Sequence, residues 1–153
     1  MQLGRQLAML AVMAVAGTAL TLISAGTASA AAVTPIAPPP PMLIGAEAHA
    51  GTHDVQLVFD QELMTSSAGL PGLSRFVVTV NGVARNVTAL KVTDDVTAGE
   101  GLVDLTLSGL PLASGGTVTV TYRKPLSGTV PPPLVGVNGV PVNSFGPVSI
   151  LVS

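Results

Sequence analysis

Two histidines and a neighbouring aspartate are the first residues whose side chains could do chemistry. His49, His53 and Asp54 lie close together in the sequence, and imidazole and carboxylate groups are ligands for Cu(II) and Zn(II). Such a site needs three or four donors, but no histidine follows His53 and the chain has no cysteine. We therefore expect both histidines to lie on a turn between strands and the protein to bind no metal tightly. A copper or zinc site at His49, His53 and Asp54 is the alternative.

Two pairs of carboxylates could in principle support hydrolysis. Asp60 and Glu62 stand near the end of an apolar segment, and Asp94 and Asp95 are adjacent. A hydrolase needs a nucleophile with a positioned base, or two carboxylates facing one cleft. Neither arrangement is indicated, so we interpret both pairs as turn and solubility residues. The sequence predicts no catalytic residue, no cofactor and no enzyme activity.

A long connection near the end of the chain is the best candidate for a binding surface. Residues 123–147 include the adjacent cations Arg123 and Lys124, a run of three prolines and a glycine-rich turn around Asn138. Loops of this length are usually functional or mobile. Arg123, Lys124 and Asn138 are the predicted binding residues. The alternative is a connection that merely crosses between two sheets.

The elements that must position these residues are β-strands. Apolar residues recur at every second position, as in Val55, Leu57 and Phe59, and polar residues fill the positions between them. No stretch after residue 30 shows a convincing apolar period of 3.6 residues. The alternation predicts a core that includes Leu57, Phe59, Phe76, Val78, Val80, Leu105, Val120, Tyr122 and Ile150.

Glycine-rich turns separate the predicted strands. Asn81-Gly82 is the strongest signal, because a two-residue type I′ hairpin turn needs a positive φ at both positions and this pair tolerates it best. Short strands at regular spacing, joined by such turns, predict an antiparallel β-sandwich of about seven strands.

Composition bounds the class of protein. The chain has 153 residues, enough for one domain, and it carries six Lys and Arg against eight Asp and Glu. No basic stripe is present, which argues against nucleic acid and anionic membrane surfaces as main partners. The absence of cysteine excludes disulfides, thiolate metal sites and a cysteine nucleophile.

The N-terminus has the order of a secretory signal. Arg5 precedes a long apolar stretch that ends in Ala28-Ser29-Ala30, so residues 1–30 are predicted to be a signal peptide cleaved after Ala30, to within about two residues. An uncleaved membrane anchor is the alternative. Residues 31–41 then form a stiff proline-rich linker, and residues 42–153 form the sandwich. We expect a secreted or cell-envelope protein without a membrane span after cleavage.

Several segments together resemble the SwmB-type repeat of bacterial surface and adhesin-like proteins. These segments are residues 55–63, residues 74–82, residues 103–107, the strand Gly115 to Tyr122 with its alternating threonines, and the closing segment from Gly136 to Phe145. The resemblance implies an immunoglobulin-like sandwich, usually in tandem copies, with no assigned catalytic residues. This chain has one copy, and its closing segment lacks the expected acidic residue.

The expected function is that of a non-catalytic, exported binding or adhesion module. Its partner is an unidentified envelope or extracellular protein or glycan. A purely structural envelope component is one alternative. A periplasmic copper carrier resembling the CopC family is another, although that resemblance implies histidines at the mature N-terminus and late in the chain, and neither is present.

Overall fold

Eight β-strands build the part of the chain that the structure, a computed structural model, describes: residues 36–65 and 70–153. The predicted signal peptide and residues 31–35 of the predicted linker lie outside the described residues. Ile36–Ser153 form one unit. The strands are β1 (Leu43–Ala48), β2 (Asp54–Phe59), β3 (Phe76–Val80), β4 (Val83–Arg85), β5 (Val87–Asp95), β6 (Glu100–Leu107), β7 (Thr117–Tyr122) and β8 (Phe145–Leu151).

The strands form two four-stranded antiparallel sheets. The first sheet has the order β1-β2-β6-β5 and the second has the order β4-β3-β7-β8. Immunoglobulin sandwiches pair their strands in this order, with β4 as one strand more than the seven of the constant type. The predicted fold class is therefore confirmed, with eight strands where about seven were expected.

The core lies between the two sheets and consists of the alternating apolar residues. All nine residues predicted for the core are buried. Residues on β2, β6 and β7 alternate strictly between the core and the outer surface, because successive side chains of a strand point to opposite faces. In each of these three strands the observed burial follows the alternation of apolar and polar residues from which the strand was predicted.

The hairpin between β3 and β4 turns at Asn81 and Gly82, as predicted. Val80 pairs with Val83, and the two turn residues have φ values of 49° and 79°, in the left-handed region that a type I′ turn requires. The Asn81 side chain also accepts a hydrogen bond of 2.8 Å from the backbone N–H of Thr117. The turn thus holds the start of β7 in register.

The sandwich has two ends, which we name by residues that lie there. Ring centroids of Phe59 and Phe145 are 6.0 Å apart, and Tyr122 lies 5.0 Å from Phe76 and 5.5 Å from Phe145. This is the phenylalanine end. The opposite, histidine end holds the β1–β2 turn with His49, where the backbone N–H of Ala50 donates to the carbonyl of Ser153.

Helical structure is minimal in the described residues. It amounts to a single 3₁₀ turn, Leu73–Arg75, which leads into β3. None of the described residues form a helix long and apolar enough to cross a membrane.

Candidate functional site

Three cationic side chains gather at the phenylalanine end of the second sheet. Arg75 directly precedes β3, and Arg123 and Lys124 directly follow β7. Because Phe76 pairs with Tyr122, the backbone N–H of Arg123 reaches the carbonyl of Arg75 at 2.9 Å. Arg123 and Lys124 are exposed and Arg75 is half-buried. We call these three residues the cationic end.

The backbone of the cationic end is held in place. The Lys124 N–H donates to the Ser144 hydroxyl at 3.0 Å, and the Arg123 N–H donates to Arg75 as described. The Lys124 ammonium has one marginal side-chain contact, with the amide oxygen of Asn143 at 3.5 Å. The charged groups therefore extend into solvent from a fixed backbone.

No carboxylate neutralises the cationic end within the described part of the chain. The ion pair that the described residues do form joins His49 to Glu47 at 3.6 Å, at the other end of the sandwich. Three cationic residues on adjacent segments of the backbone, without a carboxylate within 4.0 Å, attract anionic groups of a partner.

The loop that follows the cationic end is packed rather than loose. Residues 123–144 connect β7 to β8, and Leu134 and Val142 in this loop are buried. The Leu134 N–H donates a hydrogen bond of 2.9 Å to the buried Tyr122 hydroxyl. A further bond joins the Met64 N–H to the carbonyl of Val135 at 2.9 Å. The sequence analysis allowed a mobile loop or a connection that crosses between two sheets. These contacts hold the loop in place, and it joins two neighbouring strands of the second sheet, so it does not cross between the sheets.

Asn138 contacts other residues than those of the cationic end. Its side-chain amide donates to Gln61 at 2.8 Å and to the carbonyl of Pro39 at 3.3 Å. Its amide oxygen accepts from the Val140 N–H at 2.9 Å and so stabilises a turn. Of the three predicted binding residues, Arg123 and Lys124 thus belong to the cationic end, whereas the Asn138 side chain is used in hydrogen bonds within the domain.

Arg75 is the member of the cationic end that sequence reasoning missed. It is distant from Arg123 in the sequence, and only the antiparallel pairing of β3 with β7 brings the two together. The one signal was its position immediately before an alternating strand. A strand-pairing argument applied to that position could have found it.

The histidines lie where the sequence placed them, on the turn between β1 and β2. The His49 ring contacts the Ser153 hydroxyl at 3.1 Å, and Asp54 accepts a hydrogen bond of 2.7 Å from Thr106. Among the residues that the structure describes, no three His, Asp or Glu side chains come together as a group that could hold a metal ion. The alternative metal site at His49, His53 and Asp54 therefore has no support in the geometry.

Asp60, Asp94 and Asp95, three of the four residues in the two carboxylate pairs, bind backbone groups. Asp60 accepts from the Met42 N–H at 2.7 Å, and Asp94 accepts from the Leu63 N–H at 2.9 Å. Asp95 accepts from Thr97 and Ala98 at 3.0 and 3.2 Å, as residues that cap turns do. Asp95 caps the turn between β5 and β6 as predicted, whereas Asp94 lies on β5 and not in a turn.

An apolar cleft of about 390 Å³ opens between the edges of β1 and β8. Its lining includes Pro41, Met42, Val142, Phe145 and Val148. The lining residues carry no ionisable side chain, so no side chain in this cleft could act as a general acid or base.

One family model matches the chain. The model is SWM_repeat, described as a "putative flagellar system-associated repeat", and it matches residues 37–127. Neither a curated protein nor a solved structure is significantly similar to the chain.

The match covers more than half of the sequence, and the chain belongs to this repeat family. The resemblance to the SwmB-type repeat is thereby confirmed over residues 37–127, which contain β1 to β7. The match ends before the closing segment from Gly136 to Phe145, so the resemblance of that segment stays a prediction.

Proposed function

We propose that this SWM repeat protein is an exported, non-catalytic binding module of the cell envelope or the extracellular space. Its contact surface is the cationic end, and its partner is a protein that presents an acidic surface. The observation that carries the proposal is the convergence of Arg75, Arg123 and Lys124 without a carboxylate within 4.0 Å in the described part of the chain.

The contacts of the carboxylates support a non-catalytic role. Asp60, Asp94 and Asp95, at the phenylalanine end of the first sheet, accept hydrogen bonds from backbone N–H groups. The residue of the described chain whose pKa is raised is Tyr122, and its hydroxyl is buried behind Leu134. Catalytic acids and bases need access to a substrate, and this hydroxyl has none.

The rigid backbone of the cationic end supports a role in recognition. A surface whose backbone is already ordered loses little conformational entropy on binding. Charged groups at the rim of an interface mainly steer association and add a salt-sensitive contribution to affinity. We therefore expect partner binding that weakens as the salt concentration rises.

Export is part of the proposal and rests on the sequence. Residues 1–30 have the order of a secretory signal, and the absence of cysteine fits a domain whose stability does not depend on the redox state of its compartment. The chain belongs to a repeat family and resembles the repeats of bacterial surface proteins, which is consistent with a location in the envelope.

A pull-down from the envelope fraction tests the proposal. The bait is the wild-type chain or the double variant Arg123→Ala/Lys124→Ala, and the matched control is Lys91→Ala, an exposed cation of the first sheet. We expect a partner whose recovery falls at least tenfold with the double variant, by about 1.4 kcal/mol of binding free energy, and is unchanged with Lys91→Ala. Equal recovery by all three baits would contradict the proposal.

A further inference from the structure

The charges of the domain are segregated between its two sheets. All eight Asp and Glu residues of the chain lie on strands of the first sheet or directly beside them: Glu47, Asp54, Asp60, Glu62, Asp94, Asp95, Glu100 and Asp104. Of the five Lys and Arg residues in the described part, four belong to the second sheet or its flanks, and Lys91 is the exception. One side of the domain is therefore acidic and the other is basic.

A polar cleft of about 230 Å³ lies on the acidic side, at the histidine end. We call it the acidic cleft, and it is lined by Glu47, His49, Thr52, Asp54, Gln56 and Asp104. Three of its six residues are carboxylates, and the side chain of Glu47 is 61% exposed. The cleft is wide enough for the head group of an arginine or a lysine.

The carboxylates of the acidic cleft retain hydrogen-bonding capacity. Asp54 accepts one bond from Thr106, and Asp104 accepts one from Gln56 at 2.9 Å, whereas a carboxylate has about four acceptor positions. At the phenylalanine end, Asp60, Asp94 and Asp95 instead satisfy backbone N–H groups. The acidic cleft is thus an acidic surface that can receive cations.

The acidic cleft and the cationic end lie at opposite ends of the sandwich and on opposite sheets. Asp54 begins β2 and Phe59 ends it, and such a strand spans about 17 Å. The two surfaces are therefore too far apart to meet within one domain. They are complementary in charge and can meet between two domains.

We propose that the acidic partner of the cationic end is a second copy of this chain, whose acidic cleft receives Arg123 and Lys124. The inference rests on the proposed function, because it uses the same contact surface. Since the two surfaces differ, the contact is head-to-tail and leaves one surface free on each outer copy. Such copies assemble into open chains rather than closed dimers.

Analytical ultracentrifugation tests the self-association. The sample is the untagged protein, purified from the cell fraction in which it accumulates. At low salt we expect the average mass to rise continuously with protein concentration. At 1 M salt, where the screening length falls to about 3 Å, we expect monomers. A monomer at every protein concentration in low salt would overturn the inference.

Two charge-reversal variants test the geometry. Arg123→Glu/Lys124→Glu destroys the cationic end, and Glu47→Lys/Asp54→Lys destroys the acidic cleft, and we expect each variant alone to be monomeric. In their mixture the intact cationic end of one variant faces the intact acidic cleft of the other, and the two reversed surfaces are also opposite in charge. We therefore expect the mixture to associate although neither variant associates alone.

The matched control is Glu62→Lys/Glu100→Lys, which reverses the same number of acidic charges at the phenylalanine end. We expect this control to self-associate as the wild type does. A control that remains monomeric, or a mixture that does not associate, would overturn the head-to-tail contact. Circular dichroism and unfolding midpoints establish that each variant is folded.

The proposed function and this inference fail separately. If the wild type is monomeric but the cationic end still captures an envelope protein, the second copy is not the partner and the binding surface stands. If the wild type self-associates and reversal of the cationic end leaves its mass unchanged, the inference is wrong, and the proposed surface is wrong only if the pull-down also recovers its partner equally with the Arg123→Ala/Lys124→Ala variant.

Discussion

The buried hydroxyl of Tyr122 should anchor the loop that follows the cationic end, and its removal is the sharpest test of how that loop is held. The Tyr122 ring packs against Phe76 and Phe145, and its hydroxyl accepts the Leu134 N–H at 2.9 Å. Tyr122→Phe keeps the ring and its contacts but leaves the Leu134 N–H buried without a partner.

The expected cost follows from this single unsatisfied group. An unpaired buried donor costs about 1–3 kcal/mol, so the free energy of unfolding should fall by that amount. Thr121→Val is the matched control, because it removes a hydroxyl from the neighbouring position on the outer face of β7. A surface change of this kind should stay within about 0.5 kcal/mol.

Equilibrium unfolding in urea measures both variants. The midpoint should fall for Tyr122→Phe with an unchanged slope, and it should hardly move for Thr121→Val. Hydrogen exchange should show loss of protection at the Leu134 amide. A loss below about 0.5 kcal/mol for Tyr122→Phe, with Leu134 still protected, would refute the anchoring role.

Four further predictions concern the core, a close contact, pH and processing. Phe76→Ala should cost about 3–5 kcal/mol in urea unfolding, through lost burial and a cavity; a loss under about 1 kcal/mol would contradict its core position. Gly101→Ala should destabilise by about 1–3 kcal/mol, because its Cβ would stand 2.7 Å from the Gln61 carbonyl and 2.5 Å from Leu63; an unchanged midpoint would contradict this packing. Burial raises the pKa of Tyr122 above its ordinary value of 10.0, so the unfolded state loses the hydroxyl proton first and the stability of the wild type should fall as the pH rises through 10. The difference in stability between the wild type and Tyr122→Phe should therefore shrink over that range, and a constant difference would contradict the shift. N-terminal sequencing of exported protein should begin at Ala31, and a chain that begins at Met1 in the membrane fraction would contradict the signal peptide.

The sequence predicted β2, β3, β6, β7 and the second half of β8, and it missed β1, β4 and β5. β2, β6 and β7 are buried on one face along their whole length. β1 and β5 contain bulges, at Leu43/Gly45 and at Val87/Ala89, which shift the pattern by one residue. β4 is a short edge strand without a buried residue, so no hydrophobic period marks it.

The sequence could predict the site residues that are exposed at the end of a strand. It could not predict those that join the site through the pairing of strands. Arg123 and Lys124 follow a clear strand, so an exposed position could be expected for both. Arg75 joins them through the register of β3 with β7. The partners of Asn138 are Gln61 and Pro39, which are far away in the sequence. Local patterns carry no information about contacts of this range.

The segregation of charge was present in the sequence but could not be recognised there. Acidic residues occur on or beside β1 and β2 and again on β5 and β6, with Arg75 and Arg85 between the two pairs of strands. Only the assignment of strands to sheets shows that these segments share one side of the domain. The acidic cleft depends on the same assignment, since Gln56 and Asp104 face each other through the pairing of β2 with β6.

Crosslinking in intact cells tests the central claim most directly. A photoreactive amino acid placed at position 124 reports what the cationic end contacts, and the same amino acid at position 91 is the control. We expect strong crosslinks from position 124 and few from position 91. The crosslinks from position 124 should fall on peptides of a second copy of the chain that contain Glu47 or Asp54. Crosslinks from position 91 that equal or exceed those from position 124 would contradict the claim.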